Sequence, residues 1–112
     1  MAAERNIKIY QGDTYVHEVR VKDNSNVAIN ITSRTYAGQI RKTKTSNVII
    51  ATFTTAITNA ANGTFNFSLS SNTTSNIQSG VYYYDIQETN GIVVTTLLSG
   101  RAEVEGEVTR AG

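Results

Sequence analysis

Apolar residues recur at every second position along this chain, in short runs broken by clusters of Gly, Asn, Asp and Ser. That period constrains the fold more than any other feature, because successive side chains of an extended strand point to opposite faces. The run GVYYYDIQETN puts Tyr82, Tyr84 and Ile86 on one face and Val81, Tyr83, Asp85 and Gln87 on the other. In TFNFSLS the buried side is Phe65, Phe67 and Leu69, and near the start Tyr15, His17, Val19 and Val21 share a face opposite Val16, Glu18, Arg20 and Lys22. In the last run Ile92, Val94, Leu98, Ala102, Val104 and Val108 are expected on one face, with a bulge or bend at Gly100.

The breaks between runs are turn chemistry. Asn90-Gly91, between the tyrosine run and Ile92-Val93-Val94, is the strongest local signal for a two-residue hairpin. Gln11 to Asp13, Asp23 to Asn26 and NAANG read as further turns, and VAINIT reads as a brief strand or extended edge. TYAGQIRK and VIIATFTT flank the polar loop Thr43 to Asn47 as a hairpin with a long turn. Ser71 to Gln78 lacks alternation, and its Ser and Asn capping residues predict one helical turn across the end of the fold. About seven to eight strands with no long helical period predict an all-β, antiparallel sandwich forming a single domain over residues 1–112. Short terminal arms, Met1 to Arg5 and Thr109 to Gly112, are expected outside the strands and ordered by neighbouring subunits.

Composition removes several function classes. The chain has no cysteine and one histidine, His17, so disulfides, thiolate nucleophiles and a histidine cluster within one chain are excluded. No apolar stretch is long enough to span a membrane and no leader is visible at Met1, so a soluble, unexported chain is expected. The sequons at Asn30, Asn62, Asn66 and Asn72 follow from the high Asn, Ser and Thr content. A net charge of +1 offers no general field for nucleic acid. The charge is uneven, however: residues 1–56 hold eight basic and four acidic side chains, residues 57–112 two and five.

Candidates for chemistry are few. Asp85, the tyrosines and His17 are the available groups, and no nucleophile elbow, phosphate-binding glycine loop or carboxylate pair accompanies them. A non-enzymatic chain without cofactor or metal is expected. His17 is read as a half-buried core histidine with a backbone partner. Asp23 with its amide neighbours is a turn, since one carboxylate is too few for calcium. Tyr83 is the ring expected to be presented, as an interface anchor or, in a rival reading, as a platform for sugar. Glu103, Glu105 and Glu107 form an acidic stripe that either is merely solvated or meets the basic Arg41, Lys42 and Lys44 of another copy, head to tail, if the two patches lie on opposite flanks.

The order of these pieces resembles a known family. QGDTY at 11–15, AGQIRK at 37–42, GTFNFSLS at 63–70, SGVYYYDIQ at 79–87 and GIVVTTLLSGRAEVEGEVTR at 91–110 together resemble the small immunoglobulin-like domains of tailed bacteriophages, above all the amino-terminal domain of baseplate upper proteins. The likeness spans nearly the whole chain. It implies an immunoglobulin-like sandwich and a structural role in the virion, at tail, baseplate or neck, in a protein made in the host cytoplasm. The implied partners are other virion proteins and copies of the chain itself, with capsid decoration or host surface glycan as alternatives and no nucleic acid or membrane. With only Ala111 and Gly112 beyond the last motif, a connector or ring subunit is expected rather than the carrier of a receptor-binding module.

Overall fold

The computed structural model describes residues 3–106, and its strands fall into two facing sheets. The larger sheet contains β1 (Ala3–Glu4), β2 (Ile7–Tyr10), β4 (Thr35–Arg41), β5 (Ile49–Thr52), β8 (Gly80–Asn90) and β9 (Val93–Glu105). Its order is β1/β2, β9, β8, β4, β5, and the smaller sheet runs β3 (Tyr15–Arg20), β7 (Thr64–Leu69), β6 (Thr54–Asn59). This is an immunoglobulin-like sandwich, with three strands on one side and the strand order of the variable type on the other. β1 and β2 keep one register against β9, from Ala3 opposite Leu98 to Tyr10 opposite Glu105, and so act as one interrupted strand of eight.

The period-two reading holds for the core strands. Tyr82, Tyr84, Ile86, Phe65, Phe67 and Leu69 are all buried between the sheets, while Tyr15, His17 and Val19 are half-buried on the inner side of β3. Ile9, Ile31 and Ile40 complete the fully buried centre. Tyr36 stacks on Phe65 with ring centroids 3.8 Å apart, and Phe53 meets Phe67 edge-on at 4.9 Å. Near the start of β8 the Tyr82 hydroxyl donates to the Gln78 carbonyl at 2.7 Å, the tyrosine corner of this fold class. The helical turn α1 (Ser71–Ser75) is capped by Ser70 Oγ, which accepts from Thr73 N. Buried Thr74 then donates to Asp13 O at 2.8 Å, tying this corner to the turn before β3.

Four expectations are corrected by long-range packing. Ala3 and Glu4, expected in an arm, form β1 and pair in parallel with β9, so the larger sheet is mixed and not purely antiparallel. The approach is close: a Cβ on Gly100 would lie 2.3 Å from the Arg5 carbonyl oxygen, so Gly100 makes room for this strand and is not the bulge. The bulge is Leu97, an extra residue on β9 between the pairs Ile86–Leu98 and Gln87–Thr96. One inserted residue reverses the facing of everything beyond it. Val94 therefore pairs with Thr89 on the outer face, and Ile92 is 98% exposed instead of lying in the core.

The hairpin itself is present but its loop is Gly91-Ile92, since Asn90 pairs with Val93. Gly91 has φ 63° and is the only positive-φ residue of the loop, the pattern of a II′ turn with glycine first. VIIATFTT is not one strand. The chain leaves the larger sheet after Thr52 and enters the smaller one at Thr54, with buried Phe53 between the layers and its N–H on Gly38 O. Arg5, the last residue of the first expected arm, is also held against β9, its N–H donating to Ser99 O at 2.8 Å. Met1, Ala2 and Thr109 to Gly112, together with Glu107 and Val108, lie outside the described residues.

Candidate functional site

The outward side of the larger sheet gathers most of the residues that the sequence singles out. Because Tyr82, Tyr84, Ala102 and Val104 face the core, their neighbours Tyr83, Asp85, Arg101 and Glu103 face outward. Strand register then sets the rows. Arg41, Tyr83 and Arg101 stand side by side across β4, β8 and β9; Gln39, Asp85 and Ser99 form the next row, continued by Thr52 on β5. On the other side of Tyr83 come Val81, Glu103 and Lys8.

Tyr83 is half-buried, not fully presented, because Lys44 reaches over it with Nζ 5.7 Å from the ring centroid. Arg41 is held in place: Nη2 donates to Gln39 Oε1 at 2.9 Å and Nη1 to Ser46 O at 2.8 Å. Lys42 is exposed in the loop. Glu105 pairs with Lys8 at 3.6 Å on the surface, and Glu103 is exposed beside it. Arg41 and Lys44 thus share a sheet face with Glu103 and Glu105. The two patches stand on that face on either side of β8, and Glu107 lies outside the described residues.

A hollow of about 460 Å³ lies on this face, lined by Tyr83, Asp85, Gln39, Gln87, Arg41 and Lys44 and by the shorter Ala37, Thr52 and Ser99. Asp85 is half-buried there. Among the described residues its carboxylate takes part in no ion pair.

His17 lies on the other sheet, facing inward. Its ring stacks on Phe67 at 5.0 Å between centroids, and its Nδ1 lies 3.5 Å from the Tyr15 hydroxyl, so its partner is a side chain and not the expected backbone group. Burial, and after it the positive charge of Arg5, hold its imidazole below the ordinary value. Burial likewise pushes the Tyr84 phenol up to about 12.

Sequence reasoning missed a buried carboxylate. Glu88 is only 7% exposed; it accepts from Tyr36 Oη at 2.8 Å and from Arg34 Nη1 at 3.2 Å. Burial, and after it the hydrogen bond to Glu88, raise the Tyr36 phenol strongly. The signal was there in the parity of β8, since Glu88 follows Tyr82, Tyr84 and Ile86 at even spacing. A carboxylate at an inward position demands partners. Among the described residues no group of three His, Cys, Asp or Glu side chains is placed to hold a metal ion.

No protein-family model and no curated protein matches the chain. Among solved structures, that of Listeria monocytogenes InlP is similar, with a TM-score of 0.50 and 14% sequence identity over 93% of this chain. This chain covers 28% of that one. At such identity the likeness shows the fold alone.

Proposed function

We propose that the chain is a non-enzymatic structural protein of a bacteriophage particle, a connector or ring subunit of tail, baseplate or neck that acts through protein–protein contacts. The observation that carries this reading is the β8–β9 hairpin tip. β4 accompanies β8 only as far as the pair Thr35–Thr89, and β1 joins β9 only from Leu98. The tip therefore extends past its neighbours with Ile92, Val93 and Val94 all more than half exposed. Three consecutive apolar side chains held in water are unfavourable, and each gains roughly 1.5–3 kcal/mol when fully buried against a partner. The resemblance of the strand motifs to phage baseplate domains supplies the setting.

The chain is to be quantified in purified particles by mass spectrometry, alongside the variant Ile92→Ser/Val93→Ser/Val94→Ser. The expected outcome is a fixed stoichiometry for the wild type, and a variant that melts at the same temperature but is not incorporated. A wild-type chain absent from particles sinks the proposal. Genes flanking the coding sequence place the part: tail or baseplate neighbours assign it there, and major-capsid neighbours assign it to the head.

A further inference from the structure

The outward side of the larger sheet carries long charged side chains at Arg41, Arg101, Glu103 and Lys8 but is hollowed around Asp85. Asp85 sits between Gln39 and Ser99 in register, with Thr52 beyond Gln39. Ala37, Thr52 and Ser99 are too short to fill the space around it, and the longer Tyr83, Arg41, Lys44 and Gln87 line the same hollow. At about 460 Å³ it has the size of a small-ligand site.

We propose that this hollow binds a saccharide, engaging one pyranose ring through its hydroxyl groups. The chemistry selects that class by exclusion and by fit. An anion would meet the Asp85 carboxylate, and a cation would meet Arg41 and Lys44. An extended peptide cannot add to this face as a strand, because the backbones of β8 and β4 are already paired on both sides. A ring bearing several hydroxyls needs donors and acceptors interleaved over a few ångströms, next to one apolar surface. Asp85 offers two acceptor oxygens, Gln87 an amide with both functions, and Ser99 and Thr52 hydroxyls. Arg41 orients Gln39 through its carbonyl oxygen, which leaves the Gln39 amide NH₂ free to donate. Tyr83 supplies the apolar surface, steadied by Lys44. The site is open and makes its contacts through single side chains, so binding by one domain is of the order of millimolar.

The test is a ¹H–¹⁵N titration of the full chain with the methyl glycosides of glucose, galactose, mannose and N-acetylglucosamine, with glycerol and sodium phosphate as comparisons. Saturable shifts with at least one glycoside are expected at the amides of Tyr83, Asp85, Gln87 and Ser99, with none from glycerol or phosphate. Asp85→Ala and Tyr83→Ala should each weaken binding at least about tenfold, while Lys42→Ala, outside the hollow, should leave it unchanged. Melting temperatures of all three variants report that the fold is intact. The proposal is overturned by the absence of saturable shifts with every glycoside, by shifts elsewhere on the chain, by an equal response to phosphate, or by Asp85→Ala binding as the wild type does. It is independent of the assembly role: a chain absent from particles can still bind the glycoside, and an assembled one can fail to.

Discussion

Tyr83 and Tyr84 are neighbours with the same chemistry and opposite surroundings, so replacing each in turn measures what the strand's facing is worth. Tyr84 is 4% exposed, and its ring lies 6.1 Å from Phe53 and 6.2 Å from Phe67 between centroids. Its hydroxyl donates to Arg5 O at 2.6 Å. Tyr84→Ala removes a buried ring and leaves a cavity among aromatics, which costs about 3–5 kcal/mol. Tyr84→Phe keeps the ring and strands only the Arg5 carbonyl, at about 1–2 kcal/mol. Tyr83→Ala removes a half-exposed ring and should cost less than about 1 kcal/mol. With an unfolding entropy of about 2.1 cal/mol/K per residue, a chain this long loses roughly 4 °C of melting temperature per kcal/mol. Calorimetry should therefore find Tyr84→Ala lowered by roughly 12–20 °C and Tyr83→Ala by under about 4 °C. Equal shifts at the two positions would refute the facing of β8, and a Tyr84→Phe loss as large as that of Tyr84→Ala would refute the assignment of the energy to ring packing.

Two further outcomes follow from the same packing. Gly100→Ala should push β1 and β2 off β9, because the new Cβ meets the Arg5 backbone. A loss of about 1–3 kcal/mol is expected, with amide exchange at Arg5 and Ile7 accelerated and that at Phe65 little changed; unaltered protection at Arg5 would contradict the parallel pairing. In alkali, tyrosines of the unfolded chain ionise near pH 10 while Tyr84 holds its proton to about 12 and Tyr36 is raised further. The folded state then binds more protons, so stability is full below pH about 10 and falls as pH rises through about 12. Urea midpoints should decline over that window and decline less in Tyr84→Phe, and a flat profile would show that these phenols are not buried.

What the sequence determined by itself was local: the facing of Tyr82, Tyr84 and Ile86, the inward set Phe65, Phe67 and Leu69, the single helical turn within Ser71 to Gln78 and the Asn90-Gly91 turn region. Each depends on a period or a side chain within a few residues, and the all-β sandwich follows from repeating them. Tertiary structure decided whatever needed a partner far along the chain. The parallel strand β1/β2 exists only against β9, and Gly100 has its meaning only there. Leu97 is a bulge because β8 must stay in register on both sides of it, and that single residue turns Val94 from the expected inner face to the outer one. Glu88 is tolerated inside because Tyr36 and Arg34, more than fifty residues away, satisfy it. The hollow around Asp85 is likewise a property of register, since it takes short residues from β4, β5 and β9 set beside one carboxylate on β8. Alternation along a strand sets which face a side chain takes; only the pairing of strands decides what stands next to it.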